Sequence, residues 1–205
     1  SAMNIAEQQV EDGRRLAAPS PAPRRVFVNE AGAIPHVSGL PALDGLGLGD
    51  YRDYPFARAS VHGWPAVVEL IERMPESERP DVLAIYDSWW PGLGARFGER
   101  IDAGRVHDNL ILGHPEKVIY RADWSLLDAR TPSPLRLDHV DVADLVDERE
   151  HELSFSRPGA GFVAHAAAHG EGGSARWDAG RVLAPGQHLR WSARGRFHGQ
   201  SAHLR

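Results

Sequence analysis

Residues 26–50 read VFVNEAGAIPHVSGLPALDGLGLGD, and this stretch decides the fold. Val26, Phe27 and Val28 form a run of β-branched and aromatic residues closed by Asn29, the mark of a short buried strand. From Glu30 the chain turns away through Gly32 and Gly39. The run Gly45-Leu46-Gly47-Leu48-Gly49 raises the question of a phosphate cradle. A dinucleotide fingerprint needs G-x-G-x-x-G between a strand and a helix. Here the spacing is G-x-G-x-G and Asp50-Tyr51-Arg52-Asp53 follows, so the glycines read as a structural loop that uses their backbone freedom.

Upstream, residues 4–17 read as a helix, with Ile5, Val10 and Leu16 at loosely helical spacing and Asn4 as a cap. Three alternating prolines in 18–23 make a stiff linker. Downstream, Val67, Leu70, Ile71 and Met74 repeat at i, i+3, i+4, i+7, and Pro65 suits a first turn, so 64–74 is a helix that stops before Pro75. Val82 to Tyr86 then reads as a second buried strand. Strand, helix, strand with short connections predict a βαβ unit. Leu110–Leu112 and Lys117–Arg121 read as two further strands joined at Gly113-His114-Pro115, and 142–151 as a short acidic helix. Beyond Glu152 come only short strand-like pieces between glycine-rich turns, at 152–156, 161–168, 174–178, 188–193 and 200–204. The fold class expected is an α/β N-terminal half with a βαβ-type open sheet, then a β-rich, sandwich-like C-terminal half. Residues 4–130 form the first domain and 135–205 the second, with 129–134 as linker. Ser1-Ala2-Met3 reads as a cloning remnant, and the last residues as lying close to the natural end.

The composition narrows the function. The chain has 205 residues, 42% of them hydrophobic, which suffices for a real core. Acids outnumber bases 28 to 23 without a basic stripe, which argues against nucleic acid as a partner. With no cysteine there is no disulfide, thiol catalysis or zinc–thiolate site. No apolar run reaches the ~20 residues that span a bilayer.

No complete catalytic set is present. There is no G-x-S-x-G elbow and no P-loop. His165 and His169 have H-x-x-x-H spacing but no intervening acid, and the other histidines are scattered, so no metal site is expected, nor a cofactor. Glu30 and Asp44 could pair as the two carboxylates of glycoside chemistry, or each could fix the turn beside it. Asp87, Trp89 and Trp90 follow a strand and could line a cleft, where an indole face would stack on a sugar ring, or the tryptophans could pack one half on the other. The binding candidates are therefore Glu30, His36, Asp44, Asp87, Trp89 and Trp90, with no catalytic residue assigned.

The segment 26–48 also resembles one that follows the last membrane helices of bacterial polytopic glycosyltransferases of the GT-C class, the family-39-like and arabinofuranosyltransferase-like proteins. Asn29, Gly32, Ile34, Pro35, Ser38, Gly39, Asp44, Gly47 and Leu48 stand at the matching positions, while His36 replaces the usual tyrosine. Asn4-Ile5-Ala6-Glu7-Gln8-Gln9 with Gly13-Arg14-Arg15-Leu16, Arg79-Pro80-Asp81-Val82-Leu83, and Asp141-Val142-Ala143-Asp144-Leu145 with Glu148 extend the likeness. The resemblance implies a domain facing the periplasm or cell exterior. Its parent would sit in the cell membrane and move a sugar from a polyprenyl phosphate to an envelope glycan. The family's catalytic acid lies near its first membrane helices, so this domain would be silent alone, with its own transmembrane region as partner. Two other readings stay open: a free-standing carbohydrate-binding module, and a small glycoside hydrolase using Glu30 and Asp44.

Overall fold

The computed structural model describes residues 2–18, 23–30, 32–49, 51–127, 138–157, 161, 163–169 and 175–194. Val26–Val28 forms strand β1, and all three residues are buried, as an apolar run without alternation requires. β1 lies between two parallel neighbours, β2 (Ala42–Asp44) and β3 (Val82–Ile85), in register Val28 with Asp44 on one side and Ala84 on the other. β5 (Glu116–Ala122) runs antiparallel to β3, and β4 (Gly98–Arg105) antiparallel to β5. The sheet order is β2-β1-β3-β5-β4.

Helix α3 (Ala33–Ser38) connects β1 to β2, within the stretch 30–39 that reads in sequence as a turn. It begins after Gly32 and ends at Gly39, whose φ of 70° closes the C-terminus in the left-handed region. Helices α4 (Phe56–His62) and α5 (Trp64–Glu72) connect β2 to β3. Strand alternation sends Val26, Val28, Val82, Ala84 and Ile119 to one face, where they meet Ile34 and Leu16. Phe27, Leu43, Leu83 and Ile85 face the other way, toward α5. The first face is also covered by a continuous helix over 2–17, built of α1 (Ala2–Ile5), a π-helical turn (Ala6–Val10) and α2 (Glu11–Ala17).

Two strands differ from the sequence reading, and one of them is β2, which falls where the sequence shows no strand. Leu110–Leu112 is not a strand; Leu110 is 79% exposed in the connection between β4 and β5. The strand pairing with β5 is Gly98–Arg105, whose Glu99, Arg100, Asp102 and Arg105 are exposed. An edge strand with charged side chains escapes hydrophobic patterning, because only one neighbour must be satisfied and charges discourage edge-to-edge association.

The second half is β-rich, after α6 (Leu93–Phe97) and α7 (Leu145–Glu150). Helix α7 is the acidic one expected, and Asp144 caps it by accepting from the Val146 N–H at 2.8 Å. Two antiparallel pairs follow: β6 (Ser154–Phe155) with β9 (Leu189–Arg190), and β7 (Val163–His169) with β8 (Ala175–Arg181). His165 and His169 fall on β7, their side chains outside the described part; the expected linker at 129–134 and strand at 200–204 also lie outside the described residues.

The two halves share one core. Trp177 of β8 is buried and lies 6.1 Å from Trp64 and 5.6 Å from Phe97, ring centre to ring centre. The Ala179 N–H donates to Glu69 Oε1 of α5 at 2.9 Å, and Arg73 bridges Asp144 and Asp147 at 2.7 Å each. Trp177→Ala should therefore lower the unfolding free energy by about 3–5 kcal/mol in urea titrations, since it empties an aromatic site at the seam. A loss under about 1 kcal/mol would mean that the β7–β8 ribbon contributes little to that core.

Candidate functional site at the carboxyl edge of the parallel strands

The chain leaves β1 for β2 through α3 on one face and reaches β3 on the other side of β1 through α4 and α5. The carboxyl ends of β1 and β3 thus form a topological switch point, the place where open α/β sheets leave a crevice. Here the crevice is sewn shut at its base. Asn29 is fully buried; its Nδ2 donates to the Tyr86 carbonyl at 3.2 Å and its Oδ1 accepts from the Tyr86 N–H at 3.1 Å. One side chain supplies the next rung where the ladder has ended.

Tyr86 is the hub above that base. Its hydroxyl donates to Gln8 Oε1 at 2.8 Å and lies 3.3 Å from Glu30 Oε1. Lys117 of β5 is fully buried, places its ammonium 4.0 Å from the centre of the Tyr86 ring and donates to Glu30. Burial pulls the Lys117 ammonium below the ordinary lysine range, and the Glu30 carboxylate opposes that shift. Burial, with Glu30 alongside, pushes the Tyr86 phenol up. Trp89 leans on the same ring at 5.1 Å and keeps 40% of its surface exposed. Next along the chain from Tyr86, Asp87 accepts from the Tyr120 hydroxyl through Oδ2, while its Oδ1 is buried without a hydrogen bond among the described residues.

Two of the sequence candidates therefore gather here, Glu30 and Trp89 around Tyr86, while Asp87 bonds Tyr120, a residue of the core on the α5 side. The others go elsewhere. Trp90 is a core residue, 5.6 Å from Phe27 and packed over Gly45, where a Cβ would come within 2.5 Å of its ring. His36 is exposed at the last turn of α3. Asp44 turns inward on its own loop: Oδ1 accepts from the Leu46 N–H at 3.0 Å, and Oδ2 from Leu48 and Gly49 at 2.8 and 3.1 Å. The amides that a phosphate would use are already occupied by this carboxylate. Gly47 at φ 72° packs so tightly on α4 that a Cβ would lie 2.1 Å from the Ala57 nitrogen.

Among the described residues, one other group of carboxylates converges as oxygen ligands for a hard cation do. Glu69 of α5, Asp141 and Asp178 of β8 bring oxygens within 4.8 Å of one another at the seam of the two halves. No helix among the described residues is long and apolar enough to cross a membrane.

Residues 3–150 match a family model described as a domain of unknown function (DUF8728). The chain belongs to that family. No significant match was found among curated proteins or among solved structures. The family match takes in the whole five-stranded sheet and the switch-point residues from Gln8 to Lys117, and ends at the last residue of α7.

The loop held by Asp44 gives a direct check on its role. Asp44→Ala should destabilise the protein by about 1–3 kcal/mol, because three N–H groups lose a charged acceptor. Amide exchange at residues 46, 48 and 49 should accelerate in the variant, and unchanged exchange there would show that the carboxylate does not hold the loop.

Proposed function

We propose that this chain is an extracytoplasmic accessory domain of a membrane glycosyltransferase of the GT-C class, that it helps bind sugar or acceptor at its carboxyl edge, and that it turns over nothing alone. The observation that carries the binding role is the indole of Trp89, 40% exposed against the Tyr86 ring at the switch point, with the Tyr86 hydroxyl 3.3 Å from Glu30. A flat aromatic face suits a sugar ring, whose C–H patch meets the indole. The silence is supported by the state of the two acids that a hydrolase would need. Glu30 is engaged by the Lys117 ammonium, and Asp44 is saturated by three amides, so neither is poised as a free acid or base. The sequence likeness over 26–48 supports the parent's class, a polyprenyl-phosphate sugar or an envelope glycan as ligand, and the domain's own transmembrane region as partner.

A free-standing carbohydrate-binding module uses the same indole and differs only in its surroundings. The complete reading frame separates the two: several long apolar segments upstream of Asn4 belong to the first reading, and their absence to the second. For binding itself, the protein should retain glycans on an array and change its tryptophan fluorescence on titration with them. Trp89→Ala should weaken that binding at least ~10-fold without altering the fold, in keeping with the stacking energy of an aromatic ring. Failure of the wild-type protein to bind any glycan would overturn the binding role, and turnover of aryl glycosides would overturn the silence.

A further inference from the structure

The helix over 2–17 buries the wrong face. Asn4, Gln8, Gln9 and Asp12 are buried, and Leu16 is the apolar side chain that joins them, while Met3 and Ile5 are exposed. A helix packed for permanence buries an apolar stripe. This one seats its C-terminal part through Leu16 and the close approach of Gly13 to Val37 of α3, and its N-terminal part by polar bonds to the carboxyl edge and its neighbours. Asn4 bonds the Asp108 carbonyl and the Leu110 N–H; Gln8 accepts from Tyr86 and donates to the Gly104 and Pro115 carbonyls; Gln9 accepts from the Ala33 N–H. Gln8 and Gln9 sit in the π-helical turn, a feature that costs helix stability and recurs at functional positions.

Asp12 is the weak point of this interface. Its side chain is fully buried, and neither carboxylate oxygen has a hydrogen bond among the described residues. It presses on Gly104 of β4, where a Cβ would lie 2.4 Å from Oδ1. The charged and titratable groups facing it are Arg15 and Glu11 on its own helix, Asp102 on β4, Lys117 on β5 and the Tyr86 phenol just past β3. Arg15 approaches only to 3.9 Å, and Lys117 is already bonded to Glu30. A carboxylate buried without hydrogen bonds is costly unless it is neutral.

We propose that the helix over 2–17 is a pH-releasable strap across the switch point, closed in mild acid and loosened toward neutral pH. Burial raises the Asp12 carboxyl from 3.8 to about 6, against the pull of Arg15 and Lys117. A carboxyl raised in the closed state stabilises closure fully below its ordinary value and loses that contribution as pH rises toward and through the closed-state value. A difference of about two units allows the opening constant to grow up to ~100-fold, and about tenfold of that falls between pH 5 and 7.5. Opening withdraws Gln8 from Tyr86 and uncovers Glu30 and Lys117, whether or not that edge takes a glycan.

The chain has no cysteine, so Leu16→Cys places a single thiol under the strap. Labelling with a pyridyl disulfide, referred to an unfolded peptide at each pH, should give protection about tenfold lower at pH 7.5 than at pH 5. Asp12→Asn in the same background should remove that difference. Amide exchange over 2–17 in the unmutated protein should show the same trend, independent of any damage from the cysteine. Equal protection at both pH values, or a pH dependence that survives Asp12→Asn, overturns the proposal. So does equal labelling of Val67→Cys in α5, which would make the opening global.

Discussion

Two hydrogen bonds between the Asn29 carboxamide and the Tyr86 backbone hold the carboxyl edge together. β1 and β3 each end within a residue of that pair, and beyond it the chain diverges to opposite faces of the sheet. An amide side chain offers one donor and one acceptor in fixed geometry, so it can replace a backbone rung that neither strand supplies. With Asn29 in place, Tyr86 is locked at its backbone and its ring becomes a fixed surface. Lys117 lies over that ring, Trp89 leans on it, and its hydroxyl points at Glu30 and Gln8. An Asn29 without its carboxamide would leave buried polar groups of Tyr86 unmatched, and every group at the edge depends on where Tyr86 stands.

The cluster above this base is polar where the rest of the sheet is apolar. Glu30 and Lys117 satisfy each other, with Tyr86 beside both. Removing Glu30 would strand the buried Lys117 ammonium out of water, so the pair acts more to specify position than to add stability. The same economy governs the glycine-rich loop. Asp44 fills the ring of amides that composition alone suggests for a phosphate, and at Gly45 and Gly47 the neighbouring Phe27, Trp90 and α4 leave no room for a Cβ.

Much of the frame is legible in the sequence, for local reasons. Val26–Val28, the helix starting at Trp64 and the strand starting at Val82 each carry a pattern that burial demands, and they place two of the three parallel strands, β2 being too short to read. Proline at 65 marks a helix start that the structure keeps. The misses have a common cause. β4 is an edge strand with charged side chains, and α3 is a six-residue helix whose single fully buried residue is Ile34. Neither shows a pattern strong enough to read. Of the site, Glu30 and Trp89 are reachable because they follow strand ends. Tyr86 reads as the last residue of a strand, and Lys117 as the first residue of another; that they meet Gln8 and Glu30 depends on pairs 78 and 87 residues apart. No spacing rule reaches across such distances.

The N-terminal helix shows how a correct local reading can hide the interesting fact. Residues 4–17 read as a helix on the spacing of Ile5, Val10 and Leu16, and a helix is what forms. That spacing also implies which face is buried, and there the structure reverses it for all but Leu16. Ile5 is exposed and Val10 only half-buried, while Gln8 and Asp12 are fully enclosed. Propensity fixes the state of a segment, but the partner fixes its orientation. Leu16 meets the apolar face of the sheet, but the partner of Asn4 and Gln8 is an edge lined by carbonyls, a phenol and a lysine, which attracts amides more than it attracts leucine. A helix seated by hydrogen bonds over a polar crevice exchanges water for protein partners at little net gain. It can therefore leave at a smaller free-energy change than a helix seated on hydrocarbon, and the buried carboxylate of Asp12 lowers that threshold further.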